Sequence, residues 1–422
     1  MSSSFRVYKF GGASVKNAAA VRNVVDIIQN HATEPMVVVV SAMGKTTNAL
    51  ELVIKAVREQ DESAIHSSIQ TVIDFHRIIG EQLFSEGHEA WKTIEDYFIN
   101  LRSDAVLHEG ETYGELYDRL ICYGEMISTF IIHSVLQDSG LNSTWHNTHE
   151  LVVTDAHHRR ATVDFDKTAE RVGEHIAPEG VHVVQGFVGA TAEGKPTTLG
   201  REGSDYTAAV MAYVLDAVEV CIWKDVPGVL TGDPKVFEDV IQLETISFRE
   251  AIELAYYGAS VIHPKTIQPL QRKEIPLWVR SFVSPETPGT CIQKGEWLSP
   301  MSPCFIKKDN QVLITLATRD LAFIVEDHLS KIYQIFHQAG VPVNTMQNSA
   351  VSSSFCINND PILVPGLLDE LKKHFSVKHN EDVALYTIRH YDQRAVSSIR
   401  SKGEVYLEQV TRHTHQMVIK ES

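Results

Sequence analysis

Residues 36–40 read MVVVV, a strand that is apolar on both of its alternating faces. Such a strand is stable only where both faces are covered, which places it inside a mostly parallel sheet with helices on either side. The chain up to about Lys294 agrees with that placement. FRVYKF (5–10), HVVQGFVGA (182–190), AVEVCIW (217–223) and IPLWVRSF (275–282) are further strand candidates bounded by glycine, proline or polar turns. Between them lie helical patterns: Val21, Val24, Val25 and Ile28 follow the i, i+3, i+4, i+7 spacing that gathers side chains on one face. Ser247 and Glu250 form an S-x-x-E capping box, with Gly258 at the expected C-terminal stop. Alternating strands and helices of this kind predict an α/β fold of αβα layers.

At 422 residues the chain exceeds one ordinary core, so a boundary is expected. Residues 295–310, with turns at Pro300 and Pro303, read as a linker. Beyond it the order becomes strand (311–317), helix (327–338), strand (341–346), strand, helix (365–374) and strand (384–389), a ferredoxin-like unit. Only a short segment and two strands follow. The expected domains are therefore 1–294 and 311–390, followed by the stretch 391–422.

With 43% hydrophobic and 22% charged residues the chain has the composition of a folded globular protein. A formal charge of -16 repels polyphosphate backbones, so nucleic acid is not an expected partner. No leader-like start and no apolar run long enough for a membrane span are evident, which gives a cytoplasmic expectation. Five cysteines without C-x-x-C pairs read as reduced thiols. The 20 histidines, including His157, His158, His413 and His415, lack converging partners at metal-ligand spacing and are expected on the surface, with no metal site.

Five motifs carry chemistry. In KFGGASV, Lys9 precedes Gly11 and Gly12 where a strand meets a helix, a place where backbone N–H groups can approach phosphate; a tight turn with a surface lysine is the plainer account. GKTT at 44–47 is not a P-loop, because Val39 stands where Walker A needs glycine. SAMGKTTN instead offers Ser41 and Thr47 at the carboxyl edge of the sheet, where such folds bind ligands, or else caps the next helix. In LICYGEMIST the row Ile121, Glu125, Ser128, Ile132 sets a carboxylate among apolar neighbours, where it needs a cationic or hydrogen-bonding partner, a substrate ammonium and a structural arginine both being open. TTLGREGSD presents Arg201 from a glycine-rich loop ahead of Ser204 and Asp205. A guanidinium fork suits a carboxylate, although pairing with Glu202 or Asp205 is open. WKDVPGVLTGDPK brackets a nucleotide or is a simple Pro-Gly turn.

In this order, KFGGASV, VVVSAMGKTTN, CYGEMIST, TTLGREGSDYTAA and KDVPGVLTGDPK resemble the aspartate kinase branch of the amino acid kinase family, with a C-terminal ACT region. The resemblance implies transfer of the ATP γ-phosphoryl group to aspartate, with Mg2+, at the first step toward lysine, threonine and methionine. It implies that Lys9 stabilises phosphate, that Asp205 orients Lys9 or helps hold the magnesium nucleotide, and that Gly11, Gly12 and Ser14 cradle ATP. Ser41, Thr47, Glu125, Arg201 and Ser204 would meet aspartate, Glu125 through its ammonium and Arg201 through a carboxylate. Lys224, Asp225, Leu230 and Lys235 would surround the nucleotide, and ACT pairing implies a homodimer. A sibling carboxylate kinase and a non-catalytic amino-acid sensor on the same scaffold are the competing readings.

The chain departs from the family pattern at Glu202 (usually glycine), Lys224 (threonine), Leu230 (tyrosine), Lys235 (arginine) and Ser260 (lysine). In the ACT region Asn344 and Ala350 stand where lysine-regulated relatives have acidic residues, which leaves a lysine ammonium without a carboxylate. Lysine inhibition is therefore expected to be weak or absent, and an assay showing inhibition at submillimolar lysine, the order of magnitude of effective binding, would contradict this.

Overall fold

A computed structural model describes residues 5–31, 35–259, 262–295, 297–320 and 322–422. The chain forms two compact units. The first comprises Met1–Val229, Glu244–Ile252 and Ile262–Trp297, and the second Leu230–Leu243, Glu253–Val261 and Leu298–Ser422. Ser260 lies outside the described residues.

The first unit is built on strands β1 (Arg6–Phe10), β2 (Met36–Val40), β3 (Ser143–Trp145), β4 (Val181–Gln185), β5 (Glu219–Lys224), β6 (Thr245–Ser247), β7 (Leu277–Ser281) and β8 (Thr290–Gln293). Their order across the sheet is β6-β8-β7-β5-β1-β2-β4-β3, and all neighbours are parallel except β7 and β8. All five residues of MVVVV are buried, the double coverage that its pattern demands. Helix α1 (Ala18–Gln29) turns Val21, Val24, Val25 and Ile28 into the same core. Each such side chain contributes about 1.5–3 kcal/mol on burial. That face outweighs the N-cap, in which Asn17 accepts from the Ala20 N–H at 2.9 Å, a bond worth about 1 kcal/mol.

Three more helices position the site: α2 (Thr46–Glu59), α3 (Tyr113–Ile121) and α4 (Tyr123–Asp138). The α3–α4 run is apolar enough by length and composition to resemble a membrane span, contrary to the sequence expectation, yet 67% of its apolar window is buried inside the protein. It is a core element. The expected strand HVVQGFVGA is in fact two. Gly186 and Phe187, the latter at φ 74°, break it after β4, and Val188–Thr191 joins a separate three-stranded sheet with Val153–Thr154 and Pro196–Thr198. Gly186 has to be glycine because a Cβ there would lie 2.5 Å from the Ser204 side chain.

Ser204 belongs to the first turn of helix α5 (Gly203–Val214), whose preceding residue is Glu202. Glu202 adopts the left-handed conformation, φ 53° and ψ 28°, which glycine adopts without strain and other residues do not. Its carboxylate Oε2 accepts from the His263 N–H at 3.0 Å and fixes the turn.

The second unit is a six-stranded antiparallel sheet: β9 (Cys304–Ala317), β10 (Val343–Asn348), β11 (Ser352–Asn358), β12 (Ser376–Arg389), β13 (Gly403–Val410) and β14 (Thr414–Glu421), in the order β10-β11-β9-β12-β14-β13. The expected linker over 295–310 is overturned at its end, since β9 begins at Cys304 and pairs along β12 from there. Cys304 and Ile306 are buried in this early part of the strand, whose start the two prolines upstream obscured. The β9–β12 ladder shifts register between Lys308 and Leu313, and Asn310 and Asp382 at this bulge both have φ 52°. The two halves of the sheet therefore carry different helices. Helices α6 (Glu326–Gln338) and α7 (Leu363–His374) cover one half through Ile332, Phe336, Leu367 and Leu371. The other half is covered by α8 (Gln393–Arg400), which the sequence reading left as a short segment, together with Phe237. Asn344 already holds the Lys308 ammonium on its amide oxygen at 2.9 Å.

The Glu202 turn yields a stability test. Glu202→Ala keeps the left-handed cost and loses the bond to His263, whereas Glu202→Gly loses the bond but removes the cost. By urea unfolding the glycine variant is expected to be more stable than the alanine variant by about 1 kcal/mol, and equal stability would mean that the backbone there is unstrained.

Candidate active site

The carboxyl ends of β1, β2, β4 and β5 and the start of α5 converge on one cavity of about 550 Å³. Such an edge is where open parallel sheets bind ligands, because loops diverge there and helix N-termini point inward. Lys9 comes from β1, Ser41 from the end of β2, Thr47 from the first turn of α2, and Glu125 from α4. Arg201, Ser204 and Asp205 come from the loop and first turn of α5, and Lys224 from the end of β5. The sequence therefore brought together eight residues that lie far apart along the chain.

At the floor Lys9 Nζ and Asp205 Oδ1 are 2.6 Å apart, with side-chain exposures of only 12% and 5%. A pair this buried holds its lysine in one place, since either charge left alone would be costly. The turn after β1 passes close to the turn after β2: the Gly44 N–H donates to the Gly12 carbonyl at 3.0 Å. A Cβ at Gly12 would lie 2.8 Å from the Ala42 carbonyl oxygen. A Cβ on Gly11 would sit 3.3 Å from the Lys9 ammonium. Gly12 is thus required by chain packing, a reason that holds whether or not phosphate binds. Gly11, Gly12 and Ser14 are not among the cavity-lining residues, and Ser14 is buried with its Oγ unpartnered.

Glu125 is almost fully buried. Its Oε1 accepts from the Ala42 N–H at 3.2 Å, and its Oε2 is buried with no hydrogen-bond partner. Removal from water pushes this carboxyl up to about 8, the Ala42 bond offsetting only part of the shift. The structural arginine that the sequence left open is absent among the described residues. Ser128 locks α4 against β2 by donating to the Ser41 carbonyl at 2.7 Å. The alternative role of the SAMGKTTN segment also falls away, because α2 has no side-chain cap and Thr46 bonds back to the Met43 carbonyl.

Arg201 has no ion-pair partner among the described residues. Its two candidate mates are engaged elsewhere, Asp205 with Lys9 and Glu202 with the His263 N–H. Of the nucleotide-side residues, Lys224 lines the cavity and Asp225 is exposed beside it. Leu230 and Lys235 belong to the second unit, Leu230 bridging to Gln242 and Lys235 exposed with its N–H on Asp233 at 2.9 Å.

Sequence reasoning missed Tyr117, Arg159 and Phe187, which also line the cavity. Phe187 carries a positive φ, and Arg159, itself exposed, follows the His157–His158 pair that was expected on the surface. The surface assignment of the histidines is itself corrected: His76 and His182 are buried, and two more are withdrawn by carboxylates. His158 is 15% exposed and bonds the buried Asp118, and His415 is buried against Glu408. Both are held by carboxylates that only the tertiary fold brings near. Among the described residues no group of three or more His, Cys, Asp or Glu side chains is placed to hold a metal ion.

Residues 4–281 match the model of the amino acid kinase family. The lysine-sensitive aspartokinase 3 of Escherichia coli is 30% identical over 399 residues, covering 90% of this chain and 86% of that protein. Chloroplastic aspartokinase 1 of Arabidopsis thaliana is 30% identical over 404 residues and is covered to 68%. The chain spans only 42% of the bifunctional aspartokinase/homoserine dehydrogenase 2 of the same plant. In three dimensions it is similar to E. coli aspartokinase III crystallised with lysine and aspartate, with a TM-score of 0.82 at 28% identity over 98% of this chain and 96% of that one. The same enzyme with aspartate and ADP gives 0.79. By family match and by overall likeness, this chain belongs to the amino acid kinase family and, within it, to the aspartokinases.

Proposed function

We propose that the chain transfers the γ-phosphoryl group of ATP to the β-carboxylate of L-aspartate, giving 4-phospho-L-aspartate. The observation that carries this reading is the cavity's pairing of a buried, unpartnered carboxylate oxygen on Glu125 with unpaired guanidinium on Arg201. Together they match the ammonium and a carboxylate of one amino acid, with Ser41, Thr47 and Ser204 as hydroxyl partners.

The chemistry then needs no general base. A side-chain carboxylate with an ordinary pKa near ~3.9 is already ionised at neutral pH. One of its oxygens forms the new bond to Pγ as the bond from Pγ to the bridging oxygen breaks, and that electron pair leaves on ADP. What remains is to hold two anions together. Lys9, fixed by Asp205, supplies positive charge at the transferring group, and the N-terminus of α5 adds its partial charge. Mg2+ needs only one or two protein carboxylates when it arrives on nucleotide phosphates. Asp205 on the cavity floor fits that requirement, and the ion would neutralise phosphate charge there. The nucleotide roles of Gly11, Gly12, Ser14, Lys224 and Asp225, and those of Leu230 and Lys235, rest on the family pattern.

We assign residues 1–294 to the catalytic domain, save Leu230–Leu243 and Glu253–Val261, which join the second unit, 311–390 with the strand start at Cys304 to a first ACT-like unit, and 391–422 to a shortened second one. The protein works in the cytoplasm as a homodimer paired through the ACT region, a stoichiometry that sedimentation equilibrium measures directly.

The reading is tested by aspartate-dependent ADP release. Lys9→Ala is expected to lower kcat by a factor on the order of 10²–10³ while the fold is kept, with some loss of stability because Asp205 is left buried without its partner; near-normal turnover would sink the assignment. Glu125 gives a test in pH. Its folded-state carboxyl titrates near about 8, so between the ordinary glutamate range and pH 8 the unfolded chain releases a proton that the folded chain keeps. Stability of the ligand-free protein should therefore fall as pH rises through that window. Glu125→Gln should flatten this slope while raising the KM for aspartate. In the wild type that KM should fall as pH rises toward 8, because ammonium binding requires the ionised carboxylate; a pH-independent KM from 6 to 8 would contradict the role.

A further inference from the structure

Arg159 is an outlier with a built support. Its backbone sits in the left-handed region at φ 67°, where a side chain other than glycine, asparagine or aspartate is uncommon. Strained backbone of this kind persists only where its surroundings over-determine it. Here the surroundings are Asp118, whose side chain is completely buried. The Arg159 N–H donates to both oxygens of Asp118, at 3.2 and 3.0 Å. The Thr198 hydroxyl donates to the same carboxylate at 2.6 Å, and His158 Nδ1 lies 2.8 Å from it. One carboxylate thus ties α3, the loop that follows Thr154, and the strand at Pro196–Thr198.

The consequence appears at the other end of the residue. The Arg159 guanidinium lies over the rings of Tyr117 and Tyr113, 4.8 and 5.0 Å from their centroids, and lines the cavity. It has no ion-pair partner among the described residues. Its loop abuts the Arg201 loop: a Cβ on Gly200 would lie 3.1 Å from the Arg159 carbonyl oxygen. Two guanidinium groups with no carboxylate of their own therefore border one cavity, and aromatic stacking holds one of them at low entropic cost.

We propose that Arg159 is a second guanidinium that binds a carboxylate of the amino-acid substrate, and that Asp118 is its positioning residue. This rests on the aspartate reading above. A dicarboxylate substrate presents two anionic groups besides the phosphates, and one arginine fork satisfies one of them. Asp118 touches no substrate; it acts by holding the Arg159 backbone in the conformation that aims the side chain inward.

The experiment measures kcat, KM for aspartate and KM for ATP, with urea unfolding, for Arg159→Gly, Arg201→Ala, Asp118→Asn and the Asp118→Asn/Arg159→Gly double variant. Arg159→Gly removes the guanidinium and relieves the backbone together. Stability should hold or rise while the KM for aspartate rises on the order of tenfold or more, the usual loss for a bond to a charged group, and the KM for ATP changes less than about twofold. Asp118→Asn should raise the KM for aspartate alone but add nothing in the Arg159→Gly background. If Arg201→Ala raises the aspartate KM and Arg159→Gly does not, the second guanidinium is overturned while the aspartate site stands. If neither variant shifts it, the aspartate reading of the cavity fails with the proposal. An Asp118→Asn effect of equal size in both backgrounds would make Asp118 a general structural residue and overturn its positioning role.

Discussion

The contact between Lys9 and Asp205 is the point on which the catalytic half depends. Lys9 is the fourth residue of the central strand, and Asp205 is the third of a helix that begins some 200 positions later. Their 2.6 Å approach at low exposure requires the strand, the glycine-bearing turn beyond it and the helix start to be placed together. Much of the local sequence serves this convergence. Gly186 makes room for the first turn of α5, Gly12 lets two turns pass, and Glu202 takes an unfavourable backbone conformation to begin the helix where it does. A buried ion pair is not in itself a strong source of stability, so its value lies in fixing where one positive charge stands.

Around that fixed charge the site has a consistent polarity. Glu125 stands as a carboxyl group kept from water, its second oxygen without a partner, whereas Arg201 and Arg159 stand as cations without carboxylate partners among the described residues. Only the Glu125 oxygen is buried without a partner, the two exposed guanidiniums being open to water, and together the three are complementary to a zwitterion bearing an extra negative group. A ligand that answers all three at once is favoured over one that answers only the cations.

The parallel sheet was legible because MVVVV allows few alternatives and because apolar strands recur at suitable spacing. The candidate site was legible in part, since Lys9, Glu125, Arg201 and Asp205 lie in short segments whose local chemistry is unusual for a surface. Arg159 and Tyr117 were not legible, because what distinguishes them is a backbone angle and a stacking partner, and neither leaves a local pattern. The break in HVVQGFVGA was hidden for a related reason: its apolar run continues through the bend, and only the approach of Ser204 makes Gly186 a terminator. Similarly, β9 escaped notice at its start because prolines at 300 and 303 signal a turn without saying how soon a strand resumes.

Phe237 points to a further consequence for how the polypeptide matures. It lies midway along the chain, yet its ring packs with Phe305 and Tyr386 in the core of the second unit, where α8 covers the rest of that face. The unit is therefore discontinuous: residues made early wait for strands made last. While the ribosome is still synthesising the final hundred residues, Phe237 has no core to enter and is exposed to water. A fragment ending near residue 294 would keep that exposure permanently, so the segment around Phe237 is a natural client for chaperones until the strands of its own unit are made.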